Sequence, residues 1–94
     1  MNALEQKEYT LPLSEEDRRK LAGWKNAGGL TNELRLLDRR GLPIDWDQYE
    51  KRSQYGWVIE YILPLEEGGK DEYSNLRARH WCQSLEQYEA GLQL

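Results

Sequence analysis

Phenylalanine is missing from this chain of 94 residues, and cysteine, histidine and methionine occur once each. The single thiol, Cys82, excludes an intrachain disulfide and any zinc site built from four thiolates. Such cysteine usage suits a reducing compartment. The opening residues, Met1-Asn2-Ala3-Leu4-Glu5-Gln6-Lys7-Glu8, contain no apolar run. A signal peptide and a membrane span are therefore not expected, and the cytoplasm is the expected location. Basic charge is also short: 13 Lys and Arg stand against 17 Asp and Glu, a formal net charge of −4. Nucleic-acid binding normally draws on a basic face, and no segment here is strongly basic. Short clusters do occur, at Arg18-Arg19-Lys20, Arg39-Arg40, Lys51-Arg52 and Arg77 with Arg79.

What is present is aromatic bulk with polar handles, four Trp and six Tyr. Such rings suit the edge of a core or a surface that meets a partner. The length suits one small domain able to bury roughly two-thirds of its extended surface.

Residues 1–13 read as an extended lead-in, with Leu11 and Leu13 around Pro12. Ser14 is placed to cap a helix, with Asp17 where a capping box prefers Glu or Gln. Acidic residues in that first turn also suit the helix dipole. The helix is expected to run to about Asn26, with Leu21 and Trp24 on its inner face, and to stop at Ala27-Gly28-Gly29. A second helix is expected from Thr31 or Asn32 to about Arg40, striped by Leu30, Leu34 and Leu37 and stopped by Gly41 and Pro43. The segment from Ile44 to Arg52 fits either a short helix capped by Asp45 or an irregular stretch lying on a downstream hairpin.

That hairpin begins where the pattern changes, from Gly56. Trp57, Ile59 and Tyr61 alternate with Val58, Glu60 and Ile62, a period of two that predicts a strand. Pro64 cannot donate to a ladder, and Gly68-Gly69 permits a turn with positive φ. Residues 75–80 return as a second strand. A last helix is expected from Trp81 to about Ala90, with Leu85, Tyr88 and Leu92 at helical spacing.

Within this stretch the chain carries Tyr55-Gly56-Trp57, Ile59, Ile62, Pro64, Gly68-Gly69, Asp71, Ser74-Asn75-Leu76 and His80-Trp81 in order. The series resembles the ββα-metal core of HNH endonucleases over about residues 49–84, most strongly over 55–81. The resemblance implies an α+β fold for a single domain over 14–94: N-terminal helices packed on a β-hairpin that is followed by a helix, with the ββα core at about 55–92. In that family a hairpin and helix cradle one divalent cation. An Asp-His pair ends the first strand, giving a metal ligand and the general base that makes hydroxide for attack on phosphorus. An Asn before the second strand orients the base, and a helix residue completes the metal shell.

The departures fall on the working positions. Tyr61 stands in the place of the histidine, and a phenol with a pKa near 10 is a poor base at neutral pH. Glu60 stands in the place of the Asp ligand. Asn75 matches the orienting Asn, while Ser84, with Gln83 beside it, falls where the helix ligand belongs. His80 could serve as a replacement base, although its place in the resembling proteins favours packing beside Trp81. Asn75 has an ordinary reading too, closing its loop by bonding backbone. Cys82 reads as a half-buried, inert thiol, and Glu66-Glu67 and Asp71-Glu72 as solvated loop charges.

The expectation is a degenerate HNH-like module that binds nucleic acid or a protein without cutting. Lys51, Arg52, Lys70, Arg77 and Arg79 are the candidate phosphate contacts, and exposed Trp or Tyr the candidate protein anchors. No cofactor is expected for that role. The alternative is an active endonuclease with a rearranged site using Glu60 and His80 and a divalent cation (Mg²⁺, Mn²⁺, Ni²⁺ or Zn²⁺). An acidic mimic of DNA ranks last, because the negative charge is modest and spread out.

Overall fold

In a computed structural model that describes residues 13–30 and 33–92, the Ser14 hydroxyl accepts the backbone N–H of Asp17 at 3.0 Å. That bond starts helix α1 (Glu15–Asn26), whose first turn carries Glu15, Glu16 and Asp17 at the positive end of the helix dipole. The expected lead-in, save Leu13, and the expected caps Thr31 and Asn32 lie outside the described residues.

A second helix does not follow. Strand β1 (Arg35–Leu37) instead pairs antiparallel with β2 (Pro43–Asp45), with Arg35 opposite Asp45 and Leu36 opposite Ile44. The cause lies in the turn. Asp38 accepts the N–H groups of Arg40 and Leu42 on Oδ1, each at 2.9 Å, and Gly41 takes φ 85°. An Asp that bonds backbone two and four residues ahead favours a turn over a helix interior. The leucine stripe also finds no core: Leu30, Leu34 and Leu37 are 61%, 73% and 61% exposed. A helical spacing of four and three residues was present without a surface to bury it.

Asp45 makes no capping bond. It pairs with the Arg35 guanidinium, and Trp46–Gln48 form a single 3₁₀ turn that brings Tyr49 beside Trp57. The segment combines the two expected forms: Ile44 and Asp45 end β2, Trp46–Gln48 make a short 3₁₀ helix with Asp45 at its N-cap position, and Tyr49 lies against the hairpin.

Strands β3 (Trp57–Tyr61) and β4 (Leu76–His80) form the expected antiparallel hairpin, with Trp57 opposite His80 and Glu60 opposite Arg77. Its connection runs through two 3₁₀ turns, Leu65–Glu67 and Tyr73–Asn75. Gly68 adopts φ 100°, and a side chain on Gly69 would collide with the Leu63 carbonyl, so this turn needs both glycines.

Alternation along the strands divides the hairpin into two faces. Ile59 and Ala78 pack against α1 at Gly23, and Trp57, Leu76, Ala78 and His80 are wholly buried on that side. Asn26 ties the end of α1 to the hairpin by donating to the Leu76 carbonyl at 2.8 Å and the Tyr73 carbonyl at 2.9 Å. Glu60, Arg77 and Arg79 occupy the opposite face.

The core is Trp24, Ile44, Trp57 and Ala78, with Trp46 and Tyr49 packed against it. Trp24 and Trp57 meet at 5.2 Å between ring centroids, and Tyr49 and Trp57 at 4.7 Å. Each fully buried side chain of this size contributes about 1.5–3 kcal/mol, and such ring pairs add about 0.5–1.5 kcal/mol. Trp57 satisfies its indole N–H on the Asp45 carbonyl at 2.7 Å. The expected Trp anchors for a protein partner are thus largely interior: Trp24 and Trp57 are 1% and 0% exposed.

Helix α2 (Leu85–Leu92) begins four residues later than expected. Residues 80–82 already commit their backbone to tertiary bonds: Arg40 donates to the carbonyls of His80 and Cys82, and the Cys82 N–H donates to His80. Ser84 supplies the cap instead, its hydroxyl accepting the Gln87 N–H at 3.0 Å. Among the described residues the fold is α+β, with two helices and two small antiparallel strand pairs. Among the described residues no helix is long and apolar enough to cross a membrane.

Candidate functional site: an arginine collar around Glu60

Glu60 projects from β3 with its side chain 21% exposed, and three guanidiniums surround its carboxylate. Arg77, directly opposite in β4, donates to Oε2 through Nε at 3.1 Å and Nη2 at 3.0 Å. Arg79, two residues along the same face, places Nε 3.3 Å from Oε1. Arg39, delivered by the turn after β1, places Nε 3.5 Å from Oε2 and is itself 60% exposed.

Arg40 joins the group from the same turn. Its guanidinium lies 3.3 Å from Asp38 and donates to the carbonyls of His80 at 3.2 Å and Cys82 at 2.7 Å. Asp38 is the buried hub of this corner, accepting the N–H groups of Arg40, Leu42 and His80. Burial pushes its carboxyl up, but those three backbone donors and the Arg40 charge outweigh burial and hold it below the usual carboxylate value.

Four guanidiniums against two carboxylates leave an excess of two positive charges on one face of an acidic chain. Arg39, Arg40, Glu60, Arg79 and Gln83 line an open cleft there of about 250 Å³. With a water's share of liquid volume about 30 Å³, a phosphate group and several waters fit. A guanidinium carries five N–H donors in a planar fork matched to carboxylate and phosphate, so donors remain for a further oxyanion.

The other expected residues sit as follows. Tyr61 donates its hydroxyl to Asp71 at 3.1 Å, and Asp71 also takes a bond from Arg19 at 2.7 Å. Arg19 first, then Tyr61, holds the Asp71 carboxyl below its usual value. The phenol's proton is thus committed to Asp71 in the hairpin's own connection, and Asp71 in turn ties that connection to α1 through Arg19.

Asn75 bonds only backbone: it accepts the Leu63 N–H at 2.8 Å and donates to the carbonyls of Leu63 at 2.9 Å and Lys70 at 2.8 Å. Ser84 is exposed and engaged as the cap of α2.

His80 is 0% exposed, and both ring nitrogens are taken. Nε2 lies 2.6 Å from the Gln54 carbonyl and Nδ1 is 3.0 Å from the Cys82 N–H. An amide N–H can only donate and a carbonyl can only accept, so the fitting tautomer carries its proton on Nε2. Burial, first, pushes its pKa below 6.5. The ring lines a small hollow together with Arg52, Trp81 and Tyr88, but both of its nitrogens are already bonded within the chain. Cys82 is also buried, more deeply than expected at 2% exposed, and burial pushes its thiol up.

A divalent cation fits poorly here. The carboxylate that would hold it lies among three guanidiniums, the phenol is bonded elsewhere and the serine caps a helix.

Among the five expected phosphate contacts, the fold gathers Arg77 and Arg79 on the collar face. Arg52 stands over the Trp81 ring at 5.9 Å beside a separate hollow, Lys70 lines another with Leu63 and Asn75, and Lys51 is exposed on the segment after Glu50. Arg39 and Arg40 were visible in the sequence only as a charged pair. Their signal was Asp38-Arg39-Arg40-Gly41, an Asp-to-Gly turn that presents two arginines together.

No family model, no curated protein and no solved structure matches the chain.

Proposed function

We propose that the protein is a non-catalytic, HNH-like module that holds the phosphate backbone of nucleic acid against the arginine face of its β3–β4 hairpin. The observation that carries this reading is the grip of Arg39, Arg77 and Arg79 on Glu60. A site arranged for metal-assisted hydrolysis concentrates negative charge to hold a cation and keeps an activated base free. This face concentrates positive charge, and the chain's only imidazole is buried and doubly bonded.

Phosphate contacts of this kind position a nucleic acid without reading its sequence, and their strength falls steeply with salt. The chain's net charge of −4 keeps such binding weak.

The test has two arms on the purified protein. Supercoiled plasmid incubated with Mg²⁺, Mn²⁺, Ni²⁺ or Zn²⁺ is expected to stay intact. Fluorescence anisotropy with labelled DNA is expected to show binding that vanishes as salt rises and that Arg39→Ala and Arg79→Ala weaken. Metal-dependent nicking that Glu60→Ala abolishes would establish the endonuclease alternative. Absence of binding even at low salt removes nucleic acid as the ligand.

A further inference from the structure

We propose that Glu60 is a built-in competing anion: its carboxylate fills the collar of Arg39, Arg77 and Arg79 and thereby sets how tightly that collar takes a phosphodiester. The proposal rests on the nucleic-acid reading above and adds its regulation.

The collar is held unevenly. Arg77 is committed, with two short bonds to the same carboxylate oxygen. Arg79 spends Nε on Glu60 and Nη1 on the His80 carbonyl at 2.8 Å. Arg40 is anchored by Asp38 and two carbonyls. Arg39 is different: it stands at the mouth of the cleft, mostly exposed, and its contact with Glu60 is the longest of the three. An incoming phosphate therefore draws first on Arg39, then on the free edge of Arg79.

Both the phosphate and Glu60 are anions that need the same guanidiniums. At an effective dielectric of about 20, two like charges about 6 Å apart repel strongly enough to change an equilibrium by roughly a hundredfold, and surface screening lowers this to about tenfold. Glu60 also neutralises one of the charges that would otherwise displace counterions from the nucleic acid. Its removal steepens the salt dependence by roughly one unit in the logarithmic slope.

The experiment compares wild type, Glu60→Gln and Glu60→Gln/Arg39→Ala by anisotropy with a fluorescein-labelled oligo(dT) over a salt series. Glutamine keeps the side-chain length and an acceptor oxygen while removing the charge. The expected result is binding about tenfold tighter for Glu60→Gln at low salt, a slope steeper by roughly one, and loss of most of that gain when Arg39 is also removed.

Wild-type binding that Glu60→Gln leaves unchanged or weakens overturns the competing-anion proposal while leaving the nucleic-acid reading in place. Failure of both proteins to bind overturns both. A second measurement needs no variant and stands if Glu60→Gln does not fold. Inorganic phosphate titrated into wild type is expected to move the side-chain Nε–H resonances of Arg39 and Arg79 in a two-dimensional NMR spectrum, as Glu60 gives way. Resonances that stay fixed up to high phosphate refute competition for the collar.

Discussion

Acidification offers the sharpest test of the role assigned to His80. In the folded protein the ring is neutral, with the Nε2 proton on the Gln54 carbonyl and Nδ1 accepting the Cys82 N–H. A second proton on Nδ1 would face that N–H donor against donor, inside a site with no exposure. Burial lowers the ring's pKa from 6.5; the Gln54 carbonyl and the Asp38 charge oppose this, while Arg40 and Arg79 reinforce it. Linkage sets the sign. The unfolded chain binds a proton near pH 6.5 and the folded chain does so only at lower pH, so stability is full above pH 6.5 and falls as pH drops below it. The limiting slope is about 1.4 kcal/mol per pH unit, so acidification from about pH 8 to about pH 5.5 removes up to about 1.4 kcal/mol. A domain of 94 residues has in all about 5–14 kcal/mol, so this loss is readily measured. Urea unfolding at a series of pH values, for wild type and for His80→Gln, supplies the comparison. Wild type is expected to lose stability over this range, and the variant, less stable throughout, to show a flat profile. A wild-type free energy that stays level or rises towards pH 5.5, or an NMR titration placing His80 above pH 6.5, refutes the sealed, neutral ring.

Three further outcomes are expected. Asp38→Ala strands three backbone N–H groups at a buried corner and frees Arg40; a loss of about 3 kcal/mol in urea unfolding is expected, and a change under 1 kcal/mol would count against the hub. Asn75→Ala removes three bonds to loop backbone, so about 2 kcal/mol should be lost, with hydrogen exchange accelerated at Leu63. Placing an Asp-His pair at the strand end with Glu60→Asp and Tyr61→His is expected to give no plasmid nicking in Mg²⁺ or Mn²⁺, because Arg39, Arg77 and Arg79 still surround the carboxylate. Nicks produced by that double variant would show that the collar does not exclude a metal.

The parts of this fold that were legible in the sequence are those fixed by neighbours. Ser14 and Asp17 announced α1 because capping is a contact across three residues. The alternation from Trp57 to Tyr61 and the glycines at 68 and 69 announced the hairpin, because strand period and turn sterics are local as well. The pairing of Glu60 with Arg77, by contrast, depends on a register that the structure supplies. The ordinary reading of Asn75 as a loop-closing side chain agrees with its three backbone bonds.

Elements governed by distant residues were not legible. Leu30, Leu34 and Leu37 had helical spacing, yet burial, which the sequence does not encode residue by residue, left them outside, and Asp38 turned the chain. The start of α2 was displaced because Arg40, far away in the chain, took the carbonyls of His80 and Cys82.

The sequence alone therefore determined the local pieces: one capped helix, one alternating hairpin with its Gly-Gly turn, and a strand end that carries Glu60 and Tyr61. Tertiary structure alone decided that Arg39 would reach across to Glu60, that His80 would be sealed between Gln54 and Cys82, and that four arginines would share one face. The reason is range. Caps, turns and pleats act within a few residues, whereas electrostatic fields and burial depend on which distant segments the core brings together.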